Sequence, residues 1–275
     1  MTGNLPHADC FKKRKKALES SDGTAISVYK FSIDKLSSQD LVAWAKHFRN
    51  HYCLDETIDL LRNGTGKSRA SYLTDMVFPD KAAGLGPATR SGDFAEILVA
   101  DLLETKFGYW VPRFRYENKM VRNDSPKGAD IVGFKFATGS PNKPSEKDAL
   151  IAVETKAQAS GTKPLARLQD AVDDSIKDKW RIGETLNAMK RRLIERQEFD
   201  SATKVQRFQE GIKVPYRRRS GAAAVFCSAA FDETKLANTD CSKHENLSNL
   251  RLVVVHSKDL MKLVHAMYER ASNEA

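Results

Sequence analysis

Cysteine is scarce in this 275-residue sequence, and no pair of cysteines has a C-x-x-C spacing. Four scattered cysteines argue against a zinc site or a disulfide framework and fit a reducing compartment. They are Cys10, Cys53, Cys227 and Cys241. No run of about eighteen apolar residues occurs, so no membrane-spanning helix and no membrane partner are predicted. The segment Met1–His7 lacks an apolar signal region, which predicts a cytoplasmic protein.

Acidic residues are the minority charge, with 36 Asp and Glu against 45 Lys and Arg, a net charge of +9. The imbalance is concentrated between Lys177 and Arg219, where thirteen basic residues face six acidic ones. Such a local excess is typical of a surface that binds a polyanion. A solvated basic helix face, or a surface for an acidic protein partner, is the alternative. The predicted contacts to DNA are Lys190, Arg191, Arg192, Arg217, Arg218 and Arg219.

Two apolar segments carry charged residues where burial disfavours charge. Gly128–Gly133 contains Asp130, and Ala149–Lys156 ends with Glu154 and Lys156. Apolar runs of this length predict interior strands, in which an unpaired charge is costly. Because side chains alternate along a strand, Glu154 and Lys156 are expected on one face. The pattern predicts a compact site of two acids and one ammonium group; the alternative is the solvated edge of an amphipathic strand.

This combination of side chains suits the hydrolysis of a phosphodiester. The hard carboxylate oxygens of Asp130 and Glu154 suit Mg²⁺, with Mn²⁺ as a substitute. A bound metal ion of this kind acidifies water and polarises a phosphoryl oxygen. Lys156 is expected to orient or help deprotonate the attacking water and to stabilise the developing negative charge.

A third acid is expected from a helix that precedes both strands. Apolar residues recur with a helical period in Ser91–Leu103, and Glu96 lies among them. Glu96 is either a metal ligand or an ordinary surface acid of this helix. Gln158 shares the strand face of the Glu-x-Lys triplet and is a candidate contact to the scissile phosphate.

The order of these elements resembles the PD-(D/E)xK nuclease superfamily. After the helix with Glu96, the predicted strands are Tyr109–Tyr116, Asp130–Phe136 and Leu150–Lys156. Asp130, Glu154 and Lys156 match the D…ExK positions one by one, whereas Ala129 stands where the superfamily often has proline. The resemblance implies an α/β, restriction-endonuclease-like core with a mixed sheet flanked by helices. It also implies a metal-dependent deoxyribonuclease.

A narrower resemblance is carried by three segments, Arg90–Leu98, Tyr109–Pro112 and Lys127–Lys135. They look like the HamA-type nuclease subunit of Hachiman anti-phage defence systems. This resemblance implies an immune effector that works beside a superfamily 2 helicase subunit of the HamB type, is restrained by it, and degrades DNA.

The sequence predicts two domains, a small α/β N-terminal subdomain in residues 1–88 and the nuclease domain in residues 89–275. Partner docking is the expected role of the first. The predicted features of this subdomain are a polar basic arm at Phe11–Lys16, a strand at Thr24–Ile33, a helix capped by Ser38-Gln39-Asp40 and a helix at Asp55–Arg62. The later half is predicted to add a long helical region after Gly161, strands at Ala222–Ala230 and Leu252–His256, and a closing helix from Ser257. Tyr216–Arg219 suits contact with a nucleic-acid backbone and base stacking; the alternative is a basic loop that leads into a strand.

Two other functions remain open. One is a catalytically silent, nucleic-acid-binding scaffold subunit that keeps the fold; the intact acid and lysine set argues against it. The other is a stand-alone restriction or repair endonuclease, for which no recognisable DNA-reading domain accompanies the core.

Overall fold

The computed structural model describes residues 5–117 and 119–275. Residues 1–4, on which the expectation about a signal region partly rests, lie outside this described part. The strands are β1 (Phe11–Lys13), β2 (Leu18–Glu19), β3 (Ala25–Phe31), β4 (Ile131–Lys135), β5 (Ala149–Gln158), β6 (Arg217–Cys227) and β7 (Leu250–Ser257). The helices are α1 (Ser38–Arg49), α2 (Ile58–Arg62), α3 (Arg69–Tyr72), α4 (Gly86–Phe107), α5 (Arg167–Ser175), α6 (Asp178–Glu195), α7 (Phe199–Gln209), α8 (Glu233–Ala237) and α9 (Leu260–Asn273).

All seven strands belong to one mixed sheet with the order β1-β3-β7-β6-β5-β4, and β2 pairs with β3 beside β1. The neighbours β3, β7, β6 and β5 run parallel, whereas β4 pairs antiparallel with β5. The inner strands are close to continuous apolar runs, as expected for strands covered on both faces. The predicted α/β class, a mixed sheet flanked by helices, is confirmed.

Helices cover both faces of the sheet. On one face, α1, α4 and α9 pack against strand residues such as Ile151, Val153 and Val255. On the other face, α6 and α7 pack against Leu150 and Ala152, and α5 and α8 pack further along the sheet. The alternation along β5 therefore sends successive side chains to opposite helical layers.

Most predicted elements of the later half are confirmed with shifted ends. The apolar stripe of α6 faces the core, with Leu186 and Leu193 buried and Ile182 and Met189 partly buried. The alternative of a basic loop at Tyr216–Arg219 is wrong. Its three arginines form the first residues of β6 and pair with Ala149–Ile151 of β5, because the long parallel ladder extends into the basic segment.

The predicted strand Tyr109–Tyr116 is wrong. A single antiparallel bridge joins Trp110 to Phe134, and no ladder follows it in the described structure. Pro112 has no N–H to donate to a neighbouring strand. The N–H of Val111 donates instead to the carboxylate of Glu104 at 3.0 Å. The segment after Trp110 therefore runs as an irregular chain whose side chains point into the site.

The N-terminal stretch joins the same sheet through β3, which pairs in parallel with β7. Its predicted strand and first helix are confirmed, although the helix cap is Ser37, which forms a capping box with Asp40. The predicted basic arm is partly wrong, since Phe11 begins β1 and is buried. The predicted domain boundary after residue 88 stays a prediction.

None of the helices in the described residues is both long enough and apolar enough to cross a bilayer.

The first testable prediction concerns the close contact between β5 and β6. A Cβ added at Gly221 would lie 2.7 Å from Cγ2 of Val153, a stiff β-branched side chain. We expect Gly221→Ala to lower the free energy of unfolding by about 1–3 kcal/mol. As a control, Gly92→Ala in α4 meets no atom within 4 Å and should be stabilising by roughly 0.5–1 kcal/mol. Urea denaturation of both variants measures the two changes in the free energy of unfolding. Equal changes would show that the contact between β5 and β6 does not require glycine at position 221.

Candidate active site

The antiparallel pairing of β4 with β5 brings two acids together. Ile131 pairs with Val153 at the end of the ladder, so one further step in register sets Asp130 opposite Glu154. The backbone N–H of Thr155 donates to Oδ2 of Asp130 at 2.9 Å, which fixes this carboxylate against β5. Directly opposed residues of antiparallel strands share a face. The two acids singled out from the sequence therefore lie side by side.

Lys156 lies two residues after Glu154 and on the same face of β5. Its Nζ donates to Oε1 of Glu154 at 3.0 Å and lies 2.7 Å from Oδ2 of Asp174, near the end of α5. Burial alone would lower the pKa of Lys156, but the hydrogen bonds to Asp174 and Glu154 outweigh burial and raise it. Lys156 is therefore held as an ammonium group at neutral pH.

Arg115 bridges two of the predicted acids, Glu96 and Asp130. Its Nε donates to Oε2 of Glu96 and its Nη2 donates to Oδ1 of Asp130, both at 2.8 Å. The same guanidinium also donates to the backbone oxygens of Pro126 and Ala129. Arg115 lies in the irregular segment after Trp110, and its fork-shaped donor set suits this bridging geometry.

Glu96 projects from the middle of α4, where it is buried among apolar neighbours. Besides Arg115, the hydroxyl of Tyr116 donates to its Oε2 at 2.5 Å. Burial first, and then the charges of Glu96 and Glu154, raise the pKa of Asp130 well above its usual value, although Arg115 opposes this shift. The acids thus hold more negative charge than the positive charge nearby balances.

Asp178, the first residue of α6, is a further buried acid near the site. No described residue donates a hydrogen bond to either of its carboxylate oxygens. Burial, and then the charge of Glu154, raise its pKa from 3.8 to about 6. A buried carboxylate without a donor is costly, so Asp178 adds to the local demand for a cation.

The acids open onto a cavity of about 900 Å³ between α4, α6 and the irregular segment. Its acidic lining consists of Glu96, Asp130, Glu154 and Glu184. Its basic lining consists of Arg113, Arg115, Lys127, Arg181 and Arg192. A cleft of this size with carboxylates at its base and cations around them has the charge pattern for a phosphate-bearing substrate near a divalent ion.

The donor set of this cavity fits Mg²⁺. Asp130 and Glu154 offer hard oxygen ligands side by side, and Mg²⁺ usually takes one or two carboxylates and keeps several waters. Arg115 donates to both Glu96 and Asp130, and its guanidinium separates Glu96 from the pair formed by Asp130 and Glu154. Asp130 and Glu154 would hold the ion, and Glu96 could join them if Arg115 moved.

Of the six predicted DNA contacts, the structure places one at the cavity and five elsewhere. Arg192 lines the cavity, and its guanidinium carbon lies 5.9 Å from the centre of the Phe114 ring. Lys190 donates to Gln206 of α7, whereas Arg191 is exposed and lies 3.8 Å from Glu195. The three strand arginines do not line the cavity, and one of them, Arg218, donates to the backbone oxygen of Asp178.

The predicted role of Gln158 is wrong. Its Nε2 donates to the backbone oxygen of Lys163 at 2.8 Å, and its Oε1 accepts from the N–H of Leu165 at 3.0 Å. Both ends of the amide therefore hold the loop after β5, and Gln158 is buried and does not line the cavity.

Sequence reasoning missed three charged groups of the site, Arg115, Asp174 and Asp178. Arg115 was assigned to a strand, and the two aspartates lie at helix ends far along the chain from Asp130. The one local signal was Arg115 next to two aromatic residues and ahead of the predicted acids, which alone does not specify a partner.

The family model HamA matches residues 6–271, nearly the whole chain. The chain therefore belongs to the HamA family, and this membership supports a role as a subunit of Hachiman anti-phage defence. No curated protein and no solved structure matches the chain.

The second prediction tests Arg115 as the counter-charge of Glu96 and Asp130. With chelator present, Arg115→Met should lower the free energy of unfolding by about 3–5 kcal/mol, because removal of one partner leaves buried charge uncompensated. Mg²⁺ should restore part of this loss. The control Arg191→Met removes an exposed arginine and should change stability by less than about 0.5 kcal/mol. Similar small effects of both variants would contradict the assignment.

The third prediction concerns the pH dependence that Asp178 confers. Since its folded pKa of about 6 exceeds 3.8, the folded state holds this proton more tightly, and stability falls as the pH rises through that interval. Asp178→Asn removes the effect. We expect its stability advantage over wild type to grow by up to about 3 kcal/mol between pH 4 and pH 7.

Urea denaturation in chelator at both pH values measures this advantage. The control Asp200→Asn replaces an exposed acid at the start of α7 and should show no comparable growth with pH. An advantage of Asp178→Asn that stays constant would contradict the prediction.

Proposed function

We propose that the chain is a metal-dependent DNA nuclease of the PD-(D/E)xK type. It acts as the effector of a Hachiman defence system together with a helicase subunit. The observation that carries the proposal is that Asp130 and Glu154 line one cavity and that Lys156 donates to Glu154. Family membership supports the defence role.

The site is built to hold a divalent ion through Asp130 and Glu154. When bound, the ion would supply a Lewis acid for the phosphoryl oxygen and acidify a coordinated water. The raised pKa of Asp130 supports this assignment, because a cation at this position would offset the burial and the neighbouring carboxylates that raise it.

Lys156 acts in this proposal through its positive charge. Its pKa is raised by Asp174 and Glu154, so loss of its proton to act as a base is disfavoured at neutral pH. An ammonium group held in place orients the attacking water by donating to it and stabilises negative charge that develops on the phosphate. Asp174 is the positioning residue, because it fixes the end of the lysine side chain.

The cavity rim supplies contacts for the DNA backbone. Lys127, Arg181 and Arg192 line the cavity beside the acids. Contacts from Lys and Arg to phosphates give affinity without reading sequence. A defence effector that degrades DNA without regard to sequence needs no more recognition than this.

Arg115 gives the site a restrained state. In this state its single positive charge is shared between Glu96 and Asp130, so two of the three acids are ion-paired without a metal ion. Full use of the acids as ligands requires that Arg115 shift away from them. A helicase partner that moves the segment carrying Arg115 would couple detection of DNA to activity of the nuclease.

The fourth prediction tests the nuclease. Purified chain, alone and with its copurified helicase subunit, is incubated with plasmid and linear DNA in Mg²⁺, Mn²⁺ or EDTA. We expect metal-dependent cleavage that falls by about 10²-fold or more in Glu154→Gln and Lys156→Ala, because each removes a group that acts on the transition state. Asp130→Asn should behave in the same way.

The chain offers a matched control in Glu233 and Lys235 of α8, which form the same Glu-x-Lys spacing outside the cavity. Glu233→Gln and Lys235→Ala should cleave like wild type. Cleavage that survives in Lys156→Ala and Glu154→Gln would remove the proposed site. Wild-type DNA binding without cleavage, in the presence and absence of the helicase subunit, would favour the silent scaffold.

A further inference from the structure

A second group of ligand-type side chains lies apart from the acids of the proposed nuclease site. His47 and His51 come from the end of α1 and the turn after it, and Asp101 comes from α4. One ligand atom from each of the three side chains lies within 4.8 Å of the other two. Among the described residues, no other group of three His, Cys, Asp or Glu side chains is arranged in this way. Asp101 and His51 are buried, and His47 is partly exposed.

The hydrogen-bond count of this group leaves one acceptor unsatisfied. Nε2 of His47 lies 2.9 Å from Oδ1 of Asp101 and 3.3 Å from Nε2 of His51. If His47 donates its single Nε2 proton to Asp101, the same nitrogen cannot accept from His51. Oδ1 of Asp101 also accepts from Arg113, so the atom that His47 then leaves without a donor is Nε2 of His51. A cation bound among the three side chains would satisfy them together.

The spacing of these atoms suits a small divalent ion. Two ligands of a tetrahedral ion with bonds of about 2.0–2.1 Å lie roughly 3.3–3.4 Å apart. The separations of 3.3 Å between the two imidazole nitrogens and 2.9 Å between the His47 nitrogen and the carboxylate differ from this by at most a few tenths of an ångström, and the third pair, His51 and Asp101, lies within 4.8 Å. The four-residue spacing of His47 and His51 sets both rings on one side of the chain.

The surroundings of Asp101 hold the carboxylate in place for such a role. His7 lies 2.9 Å from its second oxygen, Oδ2, and Arg113 donates to Oδ1 at 2.8 Å. Arg113 also pairs with Glu104 at 2.7 Å. Outer partners of this kind fix the orientation of a ligating side chain. With the imidazoles neutral, Asp101, Glu104 and Arg113 carry a net charge of −1, so a divalent ion leaves only +1.

We propose that His47, His51 and Asp101 form a binding site for a divalent transition-metal ion such as Zn²⁺, distinct from the Mg²⁺ site of the proposed nuclease. Imidazole nitrogen is the donor that Zn²⁺ prefers over Mg²⁺. Three protein ligands leave a fourth position open. His51 and Arg113 line the same cavity as Glu154, so that position is reached from the space that would hold DNA.

The fifth prediction tests this site with Zn²⁺ and Co²⁺ as probes. The full chain is freed of metal with chelator and titrated in excess Mg²⁺, in the wild-type and Glu154→Gln backgrounds, so that the proposed nuclease site does not contribute. We expect one equivalent of Zn²⁺ to bind in both backgrounds. Co²⁺ should give the visible absorption of a low-coordinate site. His51→Gln and His47→Gln should each weaken binding by more than about tenfold, because even outer partners of a metal ligand cost 10–100-fold.

The matched control is His244→Gln, which replaces another buried histidine, bonded to Ser175 outside this cluster, and should bind Zn²⁺ like wild type. Far-ultraviolet circular dichroism in chelator shows whether each variant is folded. Absence of stoichiometric Zn²⁺ binding to the wild-type chain overturns the proposal without any variant. Equal affinity in wild type, His47→Gln and His51→Gln also overturns it. Because binding is read without DNA cleavage, failure of the nuclease proposal leaves this test intact.

Discussion

Negative charge buried at the edge of a sheet is the constraint around which this molecule is arranged. Glu96, Asp130 and Glu154 face one cavity, and isolated carboxylates cannot persist there without counter-charge. Arg115 and Lys156 supply that counter-charge. The irregular path after Trp110 places Arg115 where it spans Glu96 and Asp130. In the cluster of His47, His51 and Asp101, Arg113 supplies the positive charge that balances the buried carboxylate of Asp101.

Local patterns predicted the sheet and the charged centre because both depend on short-range periodicity. An apolar run with acid and lysine two residues apart can place those groups on one face only, and the antiparallel neighbour then brings Asp130 opposite Glu154. The prediction of a strand at Tyr109–Tyr116 was wrong because its aromatic and β-branched residues favour a strand, whereas Pro112 has no N–H to donate to a hydrogen-bonded ladder. Strand propensity does not indicate that the backbone N–H of Val111 donates to the carboxylate of Glu104 instead of to a neighbouring strand.

Long-range partners were beyond reach for a physical reason. Asp174 meets Lys156, and Asp101 meets His7 and His47, only because the fold brings separate helices together. No spacing in the sequence predicts these contacts. The scarcity of cysteine gave no information about a site built from histidine and aspartate. Family membership covers residues 6–271 and thus extends through the stretch that the sequence assigned to a separate subdomain.

The pairing of β3 with β7 has a consequence for how the protein is made. β3 leaves the ribosome early, but its parallel partner is translated more than two hundred residues later. Such a long-range pairing delays folding until late in synthesis. During that interval the edge of β3 needs shielding from other nascent chains. A fragment that ends before β7 lacks the strand that joins β3 to β6, so its N-terminal strands have no place in the rest of the sheet.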